Sequence, residues 1–270
     1  MTSRVTGESE PLNARGPTIN CMQFPYILTA NRPDMFRTRT RVKVCCIASE
    51  QEASLAVRSG AAAIGLVSRM PSGPGPIPET RIREIARTVP PGVATFLLTC
   101  ETTAEPIIAQ QRFCGTNTIQ LVDEVESGVH QRLRDALPGI ALVQVIHVQD
   151  DESIRRAAEV APMVDAILLD SGNPSLPTKV LGGTGRAHDW SVSRRIRDAV
   201  DVPVFLAGGL NPGNVHSAIQ QVSPFGVDVC SGLRIDGRLD EPRLAEFMRA
   251  VNDLASTETR ASAPTGATSS

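Results

Sequence analysis

The feature that most constrains the fold is a regular alternation of short apolar runs and longer amphipathic stretches between residues 42 and 251. Apolar runs of this length, bounded by turn residues, predict buried β-strands, and the amphipathic stretches predict helices that cover them. The predicted strands are Val42–Ile47, Ala62–Val67, Ala94–Leu98, Thr118–Leu121, Ala141–Ile146, Ala166–Leu169, Val202–Leu206 and Gly226–Val229. The predicted helices are Glu50–Ser59, Pro78–Thr88, Ala104–Phe113, Ser127–Ala136, Asp151–Ala161, Trp190–Ala199, Pro212–Gln221 and Glu241–Val251.

Strands that are apolar throughout and alternate with helices indicate a parallel sheet covered by helices. Eight such units are the number that closes a TIM barrel, so the sequence predicts an α/β fold of the (βα)8 class. The competing fold is a doubly wound open sheet. That fold usually has fewer strands and carries G-x-G-x-x-G after the first one. Here the first strand is followed by Ala48-Ser49, without glycine, which favours the barrel.

The barrel domain is predicted to span residues 41–252. Residues 1–40 lack a steady hydrophobic period, so we expect a loose or disordered N-terminal extension. Residues 253–270 are rich in Ser, Thr and Ala and predict a disordered tail.

Composition excludes several classes of function. Lys and Arg number 27 against 29 Asp and Glu, and only 3% of residues are aromatic, which argues against nucleic-acid binding. No apolar run reaches the roughly 18 residues of a membrane span. The six cysteines form no C-x-x-C pair, so neither a structural metal nor a disulfide framework is expected. We therefore expect a cytoplasmic protein with a small-molecule ligand.

In a TIM barrel the chemistry lies at the C-terminal ends of the strands. Cys45 comes at the end of the first strand, where it is either a core thiol or a reactive one. Asp170 follows four apolar residues, where a carboxylate must be solvated, cap a neighbour or take part in chemistry. His147 ends the fifth strand, either as an assisting proton donor or as a hydrogen-bonded histidine at the top of the barrel.

Glycine-rich turns follow the last three strands: Gly182-Gly183-Thr184-Gly185, Ala207-Gly208-Gly209-Leu210 and Cys230-Ser231-Gly232. Such glycines either turn tight corners or let backbone N–H groups approach an anion. The loops after strands seven and eight are where barrels commonly bind phosphate. Gly208, Gly209, Ser231 and Gly232 are therefore predicted to bind phosphate. Because no Walker motif is present, a sugar phosphate is the expected ligand.

These segments carry a family resemblance. Lys43-Val44-Cys45-Cys46-Ile47 resembles the K-[IV]-C-G-I start of phosphoribosylanthranilate isomerases. Gly65-Leu66-Val67 and Gln120-Leu121 resemble their second and fourth strands. The most specific matches are Leu168-Leu169-Asp170-Ser171 with Gly182–Gly185 and Asp189-Trp190, then Ala207–Val215 and Val227–Gly232. The resemblance covers about residues 42–251.

The resemblance implies an Amadori rearrangement in tryptophan biosynthesis, in which an N-(5-phosphoribosyl) amine becomes a 1-amino-1-deoxyribulose 5-phosphate. It implies that Asp170 is the general acid and Cys45 the general base. It implies no cofactor or metal, since the iminium formed on ring opening serves as the electron sink. The expected partner is a phosphorylated sugar amine, and the expected state is a monomer or homodimer.

Three segments depart from the family pattern. Ser72–Ile77 replaces S-P-R-x-V and lacks the arginine that holds the anthranilate carboxylate. Val122-Asp123 replaces H-G, and Leu233-Arg234 replaces V-E. Two hypotheses follow: the aglycone differs, or Arg234 replaces the lost arginine, with a solvated loop charge as the alternative role for Arg234. Gly183, Arg234 and His147 are further candidates for substrate binding.

Two other functions stay open at this point. One is another phosphate-binding barrel enzyme, either a histidine-pathway isomerase or a sugar-phosphate lyase. The first needs aspartates where Cys45 and His147 stand, and a Schiff-base aldolase needs a lysine at a strand end. The other is a non-catalytic barrel that keeps phosphate affinity, which the missing arginine motivates and which the retention of Cys45 and Asp170 disfavours.

Overall fold

The computed structural model describes residues 39–172 and 188–261, with side chains up to residue 253. Eight parallel strands form a closed barrel in sequence order, and β8 pairs with β1 to close it. The strands are β1 Arg41–Val44, β2 Ala63–Val67, β3 Ala94–Thr99, β4 Thr118–Leu121, β5 Ala141–His147, β6 Ala166–Asp170, β7 Val204–Leu206 and β8 Gly226–Val229. The predicted (βα)8 fold is confirmed.

One helix follows each strand along the chain. The helices are α1 Glu50–Arg58, α2 Glu79–Thr88, α3 Ala104–Cys114, α4 Val129–Ala136, α5 Glu152–Val160, α6 Trp190–Ala199, α7 Val215–Val222 and α8 Glu241–Ala261. Between β8 and α8 lie a 3₁₀ turn at Ser231–Leu233 and a two-stranded hairpin, β9 Arg234–Ile235 and β10 Arg238–Leu239.

Several element boundaries differ from the sequence prediction. The first strand ends at Val44 rather than Ile47. The seventh begins at Val204, directly after Pro203, which has no N–H to donate to a neighbouring strand. The final helix continues to Ala261, into the segment predicted as a disordered tail. The predicted N-terminal extension lies outside the described residues, apart from residues 39 and 40.

Alternation along each strand divides the buried side chains into two sets. One set packs between the sheet and the helices and includes Val44, Ile64, Leu97, Ile119 and Leu169. The other fills the barrel interior and includes Cys45, Phe96, Val145, Leu168 and Phe205. Residues two positions apart share a face, so this period also directs Lys43, Gln120, Asp170 and Asp228 inward.

Candidate active site

An open cavity lies at the C-terminal end of the barrel, where parallel-barrel chemistry is expected. Its lining includes Cys45, Asp170, Gly208, Gly209 and Ser231, which brings both predicted acid–base residues and three of the predicted phosphate ligands together. These residues come from loops that are far apart in the sequence. The barrel thus places candidates from the first, sixth, seventh and eighth strands around one space.

Cys45 is the first residue after β1. Its N–H donates to the carbonyl of Val229 at 2.8 Å, which continues the pairing of β1 with β8 beyond the end of the strand. Its Sγ lies 3.5 Å from the Nζ of Lys43. A Cβ on Gly65 would lie only 2.6 Å from this Sγ. The thiol therefore occupies space that exists because Gly65 has no side chain.

Lys43 and Asp228 form an ion pair inside the barrel. The Lys43 side chain is fully buried, and its Nζ lies 2.9 Å from the Asp228 Oδ2. The ammonium also lies 5.1 Å from the centre of the Phe96 ring. Burial opposes the charge on Lys43, but the attraction and hydrogen bond of Asp228, together with the neighbouring Cys45 and Cys46, outweigh it, and the pKa of Lys43 is raised. A permanent positive charge therefore stands beside the Cys45 sulfur.

The sequence motifs predicted no role for Lys43 or Asp228. A signal was nevertheless available. Lys43 and Asp228 each stand between two valines, at positions that pair in the register of β1 with β8. A buried charge needs a partner, so opposite charges on adjacent strands predict an internal pair.

Asp170 ends β6 and lines the cavity. Its Oδ1 accepts a hydrogen bond from the Ser171 N–H at 2.7 Å. Burial raises the pKa of Asp170, and the Ser171 hydrogen bond only partly opposes this shift. The carboxyl group therefore keeps its proton to a higher pH than an exposed aspartate does.

His147 lies opposite Asp170 in the register of β5 with β6. Its Nε2 lies 3.0 Å from the carbonyl oxygen of Val122, which only accepts, so this nitrogen is assigned the proton. Burial lowers the pKa of His147, which leaves the ring neutral near pH 7. The hydrogen bond to Val122 fits the predicted barrel-top histidine, and His147 is not among the residues that line the described cavity.

Two buried oxygen atoms on the cavity wall have no hydrogen-bond partner among the described residues. They are the Oε1 of Gln120 and the Oδ1 of Asp228. Buried polar atoms in folded proteins are usually satisfied by protein, water or ligand. Both residues line the cavity, but these two atoms are themselves covered by the protein.

The glycine-rich loops after β7 and β8 meet at the cavity mouth. Gly208 and Gly209 have φ values of +86° and +65°, a region that favours glycine. A Cβ on Gly232 would overlap the carbonyl oxygen of Leu210, so the two loops touch there. Loops at the C-terminal ends of the seventh and eighth strands are where TIM barrels commonly bind phosphate.

Arg234 does not lie in solvent, so its interpretation as a solvated loop charge is wrong. Its side chain is 8% exposed, and Nη1 lies 3.0 Å from the Oε1 of Glu52. Nη2 donates to the carbonyl oxygens of Cys45 and Cys46 at 3.2 and 2.5 Å. The guanidinium thus joins β9 to the end of β1 and to α1, because a side chain this long spans from the hairpin to the next strand.

Gly183, the remaining predicted substrate contact, lies outside the described residues, as does the whole Gly182–Gly185 turn. In the ranges that the structure covers, no group of three or more His, Cys, Asp or Glu has an arrangement that could hold a metal ion. The helices described there include none long and apolar enough to cross a membrane.

Comparison with known proteins assigns the family. Residues 42–250 match the family model described as N-(5'phosphoribosyl)anthranilate (PRA) isomerase. The chain belongs to the phosphoribosylanthranilate isomerase family. Over 213 residues it is 38% identical to the N-(5'-phosphoribosyl)anthranilate isomerase of Haloferax volcanii, an alignment that covers 78% of this chain and 92% of that protein. It is 35% identical to the enzyme of Methanocella arvoryzae, covering 78% and 98%.

Solved phosphoribosylanthranilate isomerases share the fold. The Thermotoga maritima structure has a TM-score of 0.67 at 31% identity, covering 79% of this chain and 99% of that one. A second has a TM-score of 0.65 at 29% identity and the same coverage, and contains reduced 1-(o-carboxyphenylamino)-1-deoxyribulose 5-phosphate. The family resemblance inferred from sequence motifs is confirmed, and so is the expectation of an isomerase. Membership favours an enzyme over the non-catalytic barrel and assigns it to tryptophan biosynthesis.

Proposed function

We propose that Asp170 and Cys45 are the general acid and general base of an Amadori rearrangement of N-(5'-phosphoribosyl)anthranilate. The observation that carries the proposal is that both side chains line one cavity, whose mouth is formed by the glycine loops after β7 and β8. A single bound sugar phosphate can therefore contact the acid, the base and the anion-binding loops together.

Asp170 acts first. Its carboxyl group donates a proton to the ring oxygen of the furanose, the bond from that oxygen to C1 breaks, and an iminium forms between C1 and the anthranilate nitrogen. An acid in this role must hold a proton near neutral pH. The raised pKa of Asp170 supports that role.

Cys45 acts second. Its thiolate removes the proton from C2, and the electron pair moves into the iminium to give an enamine that tautomerises to the ketone. The Lys43 ammonium lies 3.5 Å from the sulfur and supplies a fixed positive charge beside it. Asp228 holds that ammonium in place from the other side.

The remaining polar groups orient the sugar. The N–H groups of Gly208, Gly209, Ser231 and Gly232 bind the phosphate. Arg234 is already neutralised by Glu52, so we assign it to fixing the backbone after β1 rather than to the anthranilate carboxylate. The protein acts as a cytoplasmic monomer or homodimer; a dimeric relative is known from Thermotoga maritima.

The test follows the fluorescence decay of freshly prepared phosphoribosylanthranilate in the presence of the purified protein, of Cys45→Ala and of Asp170→Ala. Cys100→Ala is the matched control, since Cys100 is another free thiol, and it bonds to the carbonyl of Arg69. We expect decay with the parent protein and the control and its loss in both site variants, by about 100-fold or more.

The same experiment distinguishes a different aglycone. If the parent protein leaves phosphoribosylanthranilate unchanged while a sugar phosphate still raises its melting temperature, the anion-binding loops are intact but the substrate is another aminoribose phosphate. The missing arginine of the Ser72–Ile77 segment motivates this second candidate. Full activity in Cys45→Ala or Asp170→Ala would refute the assignment of that residue.

A further inference from the structure

Three thiols lie together at the cavity mouth, and the proposed mechanism uses one of them. Cys45 and Cys46 follow β1, and Cys230 follows β8. These strands are neighbours, with Val44 opposite Val229 in register. All three cysteines line the cavity. Cys46 and Cys230 therefore lack an assigned role although they occupy the segments that carry the base and the phosphate loop.

Cys46 has a backbone conformation that other residues seldom adopt. Its φ is +60°, in the left-handed region, where the K-[IV]-C-G-I pattern of the family carries glycine. Its Sγ lies 3.6 Å from the carbonyl oxygen of Pro74. A Cβ on Gly75 would approach the Cys46 Cβ to 2.6 Å, so the β2–α2 loop leaves room for this side chain. Cysteine is less suited to this backbone conformation than glycine, whereas its thiol has a defined position against Pro74.

The side chains of Cys46 and Cys230 interact where the two segments meet. This interaction lowers the pKa of Cys230 in spite of its burial, and the nearby Arg234 guanidinium acts in the same direction. The same interaction raises the pKa of Cys46. Cys230 is partly accessible and Cys46 is buried. One accessible thiol beside a buried one is the arrangement of an oxidisable cysteine and its resolving cysteine.

We propose that Cys230 and Cys46 form an intramolecular disulfide on exposure to peroxide, and that this bond reversibly switches off the enzyme. The Cys230 thiolate attacks one oxygen of hydrogen peroxide and the O–O bond breaks. Cys230 becomes a sulfenic acid, and the hydroxide that leaves is protonated to water. The Cys46 sulfur then displaces hydroxide from that sulfenic acid, and its own proton leaves as part of a second water molecule. Both cysteines are oxidised by one electron each, and peroxide is reduced to two molecules of water.

The bond would alter the site because of its place in the chain. Cys46 is bonded to Cys45, and Cys230 is bonded to Ser231. A disulfide fixes the two Cβ atoms about 3.5–4.5 Å apart with a defined torsion. It therefore constrains the base and the phosphate loop together, and removes the hydrogen bond from Cys46 to Pro74. The loss of activity rests on the proposed function, whereas formation of the bond does not.

The experiment treats the full chain with stoichiometric hydrogen peroxide and measures intact mass, linked peptides and isomerase activity. We expect a mass decrease of about 2 Da for the loss of two hydrogens, a linked peptide that joins Cys46 to Cys230, and at least about tenfold lower activity. A dithiol reductant should restore both mass and activity. Cys100→Ser, which keeps the pair, should behave as the parent protein does.

Two variants separate the switch from direct oxidation of Cys45. Cys230→Ser should keep its activity at a peroxide dose that inactivates the parent protein. Cys46→Gly, which suits the left-handed backbone, should leave a Cys230 sulfenic acid that a dimedone-type reagent traps. Absence of the linked peptide from the parent protein would overturn the disulfide. A mapped disulfide with unchanged activity, or equal inactivation of Cys230→Ser, would overturn the switch.

Discussion

The position of the Cys45 thiol depends on the absence of one side chain, and Gly65→Ala tests this dependence. A Cβ at residue 65 would lie 2.6 Å from the Cys45 Sγ, 3.1 Å from the Lys43 Nζ and 3.2 Å from the Cys45 Cα. Favourable non-bonded contacts begin near 3.5 Å, so the sulfur must move by about 1 Å. The backbone of Cys45 cannot follow freely, because its N–H is bonded to Val229.

A displacement of about 1 Å at a reacting group costs on the order of 100-fold in rate, or about 2.7 kcal/mol in the barrier. We therefore expect Gly65→Ala to lower kcat by about 100-fold. KM should change little, because the phosphate loops after β7 and β8 lie on other strands. The assay is the initial rate of fluorescence decay of phosphoribosylanthranilate over a range of substrate concentrations.

The matched control is Gly60→Ala. Gly60 has a φ of +94°, and no described atom lies within 4 Å of the place that a Cβ would take, so the change strains a turn without touching the site. Both variants should melt below the parent protein, while only Gly65→Ala should lose kcat. An unchanged kcat in a folded Gly65→Ala would refute the reasoning that the rate depends on this position of the thiol. A rise in KM with an unchanged kcat would refute it as well.

Three further predictions concern charge. Because burial raises the pKa of Asp170, kcat should fall as the pH rises through that pKa; a pH–rate profile without this alkaline decline would contradict the assignment of the acid. Lys43→Met leaves the buried Asp228 unpaired and should lower the free energy of unfolding by about 3–5 kcal/mol in urea titrations, and an equally stable variant would be inconsistent with the internal ion pair. Burial alone would raise the pKa of Glu52, but hydrogen bonds, above all from Arg234, outweigh burial and lower the pKa. Glu52 therefore stabilises the folded protein above its unfolded pKa, and this stability is lost as the pH falls through the pKa of the folded state. In Glu52→Gln the melting temperature should fall less between neutral and low pH than it does in the parent protein. An unchanged pH dependence would count against this role of Glu52.

The sequence by itself determined the fold class. Eight apolar runs alternating with amphipathic stretches admit few arrangements, since each strand must be buried on both faces, and closure of the sheet satisfies this for all of them. The ends of the elements were less well predicted. The Cys45–Ile47 segment is as apolar as the strand before it, but Cys46 has a φ of +60°, which interrupts the extended conformation that a strand needs.

The sequence also placed Cys45, Asp170 and the glycine turns at the same end of the barrel, because all of them follow strands. Only the tertiary structure decided what surrounds them. The approach of Lys43 to Cys45 and Asp228, the space left by Gly65 and the burial of Arg234 against Glu52 are contacts between strands that are distant in sequence. The physical reason is that hydrophobic periodicity determines which face of a strand a side chain occupies. The pKa and reactivity of a group depend instead on its distances to neighbours, which only the closed barrel brings together.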